Sequence, residues 1–395
     1  MPSYTLCFQN RNLFMLKLLV VFAAALVLAY LSEQNTKAAI AAGHHYTVWR
    51  DWAYLLLVAI LVLFAGLRTS YNDTGNYISA FRKASGVTQW LSDAENFNPF
   101  KNPLYYFLHS ALRSVTSNAQ WLIFLSSLIT QVCFIRFFKR YSENFCFSIF
   151  IYFTLGTYVF TLAAIKQVLA MAVVTLAFPF LEKKKWIPYY LIILVGMLIH
   201  TYALAFAILP FFRARPWRLF TFLFVAVLAI VMMNFESAIT EFMEQANDLG
   251  KTLAEYEIFD DATINIFRLA VYTVPPLMSL VFQSWILEER SPMDNTLIHM
   301  SIISLAFMIM GTQSGANMFA RMAMYFELGT ICCLPTMIQR TFDKRSYRLV
   351  AGIAAACFLV FFLYANLVAN DFGQEYQSIS FFQFVLPLFS RRGSL

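Results

Sequence analysis

Apolar stretches of about twenty residues, closed by short polar or basic turns, recur along almost the whole chain. About 20 apolar residues of helix cross a bilayer core. That window places candidate spans near 13–31, 51–67, 119–138, 145–160, 164–181, 187–211, 218–235, 264–286, 296–313, 317–338 and 348–368. A shorter amphipathic segment, 103–115, follows Pro103. The pattern predicts an all-α polytopic membrane protein, a single membrane domain over residues 1–395 with about 11–12 transmembrane helices and possible re-entrant segments. Leu13–Leu31 follows Arg11 and contains Lys17. It reads as a retained first helix, although Ala38–Ala42 offers the small residues a signal-peptide cleavage site needs.

Three polar segments interrupt the pattern: 68–102, the acidic 234–262 and the short 369–378. Basic turns lie at 136–140, 183–185, 213–218 and 340–348. Cytoplasmic loops carry the excess Lys and Arg, so these turns are expected inside and the three polar segments, 68–102, 234–262 and 369–378, outside. One run resists that assignment. Lys183–Lys185 and Arg213–Arg218 flank 187–211 and want the same side. Either one basic loop is misplaced, or 187–211 is a re-entrant hairpin turning near His200; irregular backbone at that depth must line protein or water. The N-terminus poses a similar conflict: Arg11 and Lys17 ask for a cytoplasmic start, an external 68–102 loop after two spans for an external one.

Composition sharpens the class. The chain of 395 residues is 60% hydrophobic and 13% charged, against about 25% charged for a soluble protein. Its net charge of +7 resides at span ends, which is not the pattern of a nucleic-acid binder. The six cysteines show no C-x2-C spacing, so they read as small apolar filler, not as a disulfide framework or a metal site.

Against this background a few polar groups stand out, because an ionisable side chain in lipid costs about 2.5–3.5 kcal/mol on insertion scales. Arg68 ends a span and is followed by Asp73, Thr74 and Tyr77. It is either an interfacial anchor or a guanidinium fork for phosphate oxygens. Asp73, with Thr74, can cap the next helix, orient Arg68 or take a proton from a sugar hydroxyl. Lys166 either snorkels to the surface or, beside Gln167 and a run of alanines, lies inside the bundle. His200 sits in a strongly apolar run next to Thr201 and Tyr202, with a ring suited to proton transfer. Arg321 and Tyr325 share a helix face, and Glu327 is placed to neutralise part of the Arg321 charge. Arg268, beside Asn265 and Tyr272, is a weaker candidate. His109 and Arg113 share a face near the external mouth. No Asp-x-Asp, P-loop, H-E-x-x-H or G-x-S-x-G motif occurs, which argues against metal-dependent nucleotide-sugar transfer and against ATP-driven transport.

Four pieces together resemble the EpsG family of bacterial exopolysaccharide polymerases, relatives of the Wzy O-antigen polymerases. They are Ala65-Gly66-Leu67-Arg68 with Asp73-Thr74 and Tyr77; Ile165-Lys166-Gln167 with Ala170; Ile199-His200 after a basic turn; and Arg321 with Tyr325-Phe326 and Pro335. Two departures are visible. Lys166 stands where the family usually has arginine, and Asn72 where glycine often precedes the Asp-Thr pair. The resemblance implies a GT-C-like bundle in the bacterial cytoplasmic (inner) membrane. It implies a glycosyltransferase that polymerises oligosaccharide repeats carried on undecaprenyl diphosphate at the outer face, with no metal or cofactor. Flippase and chain-length regulator proteins would be its partners. His200, Asp73 and Arg68 would be catalytic. Lys166, Gln167, Arg321, Tyr325, Thr74 and Tyr77 would bind diphosphate or glycan. Two other functions fit the same residues. One is a GT-C glycosyltransferase with a lipid-phosphate sugar donor; the other is a transporter of lipid-linked oligosaccharide, though the repeated halves common in transporters are not seen.

Overall fold

The computed structural model describes residues 2–233, 264–286, 291–312, 316–369 and 376–390. The acidic segment expected at 234–262 lies outside the described residues. Each of the eleven expected spans coincides with a helix or a broken pair of helices. They run α1 (Pro2–Ala41), α2 (Trp52–Gly66), α6 (Gln120–Tyr141), α7 (Phe145–Thr154) with α8 (Thr157–Ala163), and α9 (Ile165–Thr175) with α10 (Phe178–Glu182). Then come α11 (Trp186–Ile199) with a 3-10 arm (Thr201–Arg213), α12 (Leu219–Met233), and α13 (Ile266–Val281) with α14 (Gln283–Ile286). The last are α15 (Pro292–Met310), α16 (Ala316–Thr341) and α17 (Lys344–Tyr364). Between α2 and α6 lie a short strand β1 (Arg68–Ser70) and helices α3 (Thr74–Lys83), α4 (Val87–Ser92) and α5 (Pro103–Val115). Near the C-terminus are β2 (Gln377–Ser378) and α18 (Phe381–Ser390).

Five described segments are long and apolar enough to cross a membrane: Leu13–Ala41, Gln120–Tyr141, Ile165–Glu182, Pro292–Met310 and Lys344–Ala369. The pair α7–α8, bent by 54°, makes a sixth if it is one span. The bend falls at Gly156, whose φ of +86° is one that a side chain disfavours. The 15 residues of α2 give only about 22 Å of helix, less than the ~30 Å hydrocarbon core.

The basic turns collect at one end. Arg140 pairs with Glu182 at 2.8 Å, and Arg213 donates to the carbonyls of Leu181 at 2.6 Å and Glu182 at 3.3 Å. Arg340 donates to Glu143, Asn144 to the Tyr347 hydroxyl at 2.8 Å, and Asn295 to the Arg213 carbonyl at 3.3 Å. Arg68, Lys166, His200 and Arg321 lie at the opposite ends of helices that finish in this basic cluster. Phe14, early in α1, packs against Tyr71 with centroids 5.2 Å apart, whereas Lys139 reaches the Ser32 carbonyl and hydroxyl farther along that helix. The start of α1 therefore shares the end that holds Arg68, opposite the basic turns.

The run 187–211 folds back on itself. Tyr189 donates to the Phe206 carbonyl at 2.5 Å and Tyr190 to the Ala207 carbonyl at 3.5 Å, while the Arg213 guanidinium lies 5.8 Å from the Trp186 ring centre. The two arms thus run antiparallel and both flanking basic groups reach the same end. His200 is the turn, with an extended backbone between the arms (φ −154°, ψ 120°).

Candidate functional site

Helix α2 ends where Gly66 touches α6: a Cβ there would fall 2.9 Å from a Phe124 ring carbon and 3.2 Å from its Cα. Gln120 donates to the carbonyls of Gly66 at 2.7 Å and Arg68 at 3.0 Å. Strand β1 pairs antiparallel with β2, Arg68 opposite Ser378, and Tyr376 donates to the Phe64 carbonyl at 2.7 Å. Arg68 is thereby fixed from three directions, and it is fully buried. Its Nε donates to Thr74 Oγ1 at 3.2 Å and its Nη1 to Ser127 Oγ at 3.3 Å and to the Ala65 carbonyl. Thr74 in turn donates to the Tyr71 carbonyl at 2.6 Å. Nη2 has no hydrogen-bond partner. The guanidinium is held through Nε and Nη1, and Nη2 is the donor group left over.

Asn72 has a φ of 43°, the left-handed region that glycine and asparagine enter most readily. This accounts for asparagine where the resembling family often has glycine. Asp73 occupies the N-cap position of α3, but its side chain makes no capping hydrogen bond. Nor does it orient Arg68, which Thr74, Ser127 and the Ala65 carbonyl hold instead.

Tyr77, one turn into α3, joins the pieces. Its hydroxyl faces the backbone of Lys166 and lies within electrostatic range of Asp73, Arg321 and Arg68. Lys166 is the second residue of α9, just past the break from α8 at Ala164. It is half-buried, with its ammonium 5.9 Å from the Tyr106 ring centre. Gln167 is buried, and its amide donates to the Arg321 carbonyl at 2.8 Å. Its Oε1 has no partner. Tyr325 is fully buried one turn beyond Arg321, and its hydroxyl meets His200 Nδ1 at 3.0 Å. Lys166 and Arg321 both act electrostatically on the His200 ring. The hairpin turn is anchored by Asn102 Oδ1, which accepts from the Thr201 backbone at 3.2 Å.

The structure therefore brings together three sets of expected residues: Arg68 with Thr74; Gln167 with the Arg321 backbone; and His200 with Tyr325. Tyr77 lies among them. Glu327 does not belong to this group. It is fully buried, and its carboxylate accepts from Thr157 and Tyr272 and lies near Arg268. The expectation that it neutralises Arg321 is corrected. Six residues turn a helix by about 600°, which carries Glu327 to a different face from Arg321. Among the described residues, no three His, Cys, Asp or Glu side chains gather to hold a metal ion.

Two neighbours were underrated in the sequence. Tyr105 and His109, one turn apart on α5, are both buried, with rings 4.6 Å apart. Tyr105 also lies 6.3 Å from Tyr77. The i,i+4 spacing of two polar aromatics on an amphipathic helix was the available signal, and pairing His109 with Arg113 obscured it.

Neither the curated proteins nor the solved structures contain a match to this chain. A model of the EpsG family matches residues 51–384, a range that contains every candidate site residue. The chain is a multi-pass membrane protein that belongs to the EpsG family, a Wzy-like family of polysaccharide polymerases.

Proposed function

We propose that the protein lengthens a surface polysaccharide by transferring a growing glycan from its polyprenyl (undecaprenyl) diphosphate carrier to the terminal sugar of an incoming lipid-linked repeat. In that step the bond between the anomeric carbon and a diphosphate oxygen breaks. A bond from an acceptor hydroxyl oxygen to the same carbon forms. The hydroxyl proton passes to a protein base, and the lipid diphosphate leaves with its electron pair. Arg68, Lys166 and Arg321 bind and neutralise the leaving diphosphate, with Gln167, Thr74 and Tyr77 positioning them. His200, tied to Tyr325, or Asp73 takes the proton. Fixed donors of this kind are worth about 10²–10³ in rate each, and in this reading the side-chain cations stabilise the leaving group without a metal.

The observation that carries the reading is the meeting of three cationic residues around Tyr77, at the end of the bundle opposite the basic turns. By the positive-inside argument that end faces outward, as does the segment 68–102. The reading therefore places the protein in the bacterial cytoplasmic membrane with the site on its outer face. Residues 1–395 act as one membrane domain in this account.

The test is an extract of lipid-linked glycans from cells lacking the protein, beside cells carrying Arg68→Ala or Arg321→Ala. Single repeats on the carrier should accumulate while long chains disappear, with both variants present at normal levels in the membrane. Long chains of normal abundance in either variant strain would refute the clamp. Long chains in the deletion strain would refute the function.

A further inference from the structure

Resting on the polymerase reading, the geometry points to a second subsite beside the cationic one: Tyr105 and His109 on α5 bind hydroxyl groups of a sugar residue in the lipid-linked oligosaccharide. The Tyr105 hydroxyl and both ring nitrogens of His109 have no hydrogen-bond partner, yet the two side chains are 2% and 1% exposed. Buried polar groups are almost always satisfied, and an orphan carries its full desolvation cost. Three such atoms on one helical turn, beside a functional site, are explained by a ligand that completes them.

The chemistry of the three atoms selects the ligand. Burial, with the Lys166 ammonium nearby, pushes His109 down to about 4, so at neutral pH its ring offers one donor and one acceptor. The Tyr105 phenol offers both as well. A phosphate oxygen only accepts and would leave the imidazole acceptor unmatched. Sugar hydroxyls donate and accept, and can match all three atoms. The surroundings suit a sugar ring too: Phe81 lies 6.1 Å and Tyr106 5.9 Å from the His109 ring, apolar surface for its C–H faces. Tyr106 is 44% exposed, so the subsite is one ring deep from an open side over which Lys166 lies. The diphosphate on Arg68, Lys166 and Arg321 and the first sugars attached to it would thus occupy adjoining stations. Asn102, at the N-cap of α5, links this helix to the turn that carries His200.

The experiment measures binding of two probes to purified full-length protein: undecaprenyl diphosphate, and the lipid-linked oligosaccharide isolated from cells lacking the protein. Tyr105→Phe and His109→Phe remove the polar atoms and keep the ring packing. Affinity for the oligosaccharide probe should fall about tenfold, one charge-free hydrogen-bonding site being worth roughly a factor of ten. Affinity for undecaprenyl diphosphate should be unchanged. Because each variant also removes an orphan, its melting temperature without ligand should rise by about 2 °C. A purely structural role predicts a lower melting temperature and equal weakening of both probes, and that result overturns the subsite. Unchanged affinity for both probes overturns it as well. If the wild-type protein binds the oligosaccharide probe no better than undecaprenyl diphosphate but still polymerises, only the subsite fails; if it binds neither and polymerises nothing, the polymerase reading fails with it.

Discussion

Arg68→Lys separates charge from shape. The wild-type guanidinium makes three hydrogen bonds, to Thr74, Ser127 and the Ala65 carbonyl, and retains Nη2. A lysine at this position keeps the charge but gathers its three donors on one tetrahedral nitrogen, without the planar span that lets Nε and Nη1 hold Thr74, Ser127 and the Ala65 carbonyl while Nη2 stays available. Hydrogen bonds to charged groups contribute about 1.5–3 kcal/mol each. Loss of two costs about 3–6 kcal/mol before relaxation, and water reaching the site reduces that figure. The transition state loses a fixed donor in addition, which corresponds to about 10²–10³ in rate. The assay is chain lengthening in proteoliposomes, with kcat and KM taken separately and melting temperature recorded on the same preparation. We expect kcat to fall at least a hundredfold in protein that still folds. Thr74→Val and Ser127→Ala serve as companions. They keep the arginine and release one anchor each, so a loss of about tenfold is expected from a guanidinium that is present but loosely aimed. Activity of Arg68→Lys within threefold of wild type would show that a point charge suffices and would refute the fork.

Tyr325→Phe removes only the hydroxyl that meets His200 Nδ1; kcat should drop about tenfold with KM little changed, the melting temperature should fall because a buried ring nitrogen loses that partner, and an unchanged kcat would detach Tyr325 from the chemistry. Gly66→Ala forces a methyl to within 2.9 Å of the Phe124 ring and should cost about 1–3 kcal/mol, read as a lower melting temperature; a stability equal to wild type would mean that α2 and α6 part easily. His109 predicts a pH dependence. Its folded value near 4 is below the unfolded ~6.5, so as pH falls the unfolded chain takes up the proton first. Stability from this group is constant above about pH 7 and falls between about 6.5 and 4, by up to about 3 kcal/mol in all. Lys166 is the charged group acting on the ring, and Tyr105, Tyr106 and Phe81 surround it. Melting curves from pH 7 to 5 should therefore slope less for His109→Phe than for wild type, and equal slopes would refute the buried neutral imidazole.

The helices were legible in the sequence because an apolar run of membrane length has few alternatives, and all eleven expected spans contain helix. The hairpin at 187–211 was legible as one of two readings: Lys183–Lys185 and Arg213–Arg218 could share a side if the chain turned back, with His200 as the polar residue at its middle, and the antiparallel arms match that reading and not the single crossing. The site was legible as a set of residue types but not as a set of partners. Arg68 is held by Ser127, 59 residues away, and its strand pairs with Gln377–Ser378; nothing in the local pattern of β1 announces either. Glu327 shows the opposite failure. Nearness in sequence suggested an ion pair with Arg321, whereas the helical period puts Tyr325, not Glu327, on the Arg321 face. Thr157 and Tyr272 then claim the carboxylate from two other helices. This separation has a mechanistic consequence. In the polymerase reading a carboxylate on the Arg321 face would compete with a diphosphate for the guanidinium, and Glu327, held on another face by Thr157 and Tyr272, is not that carboxylate.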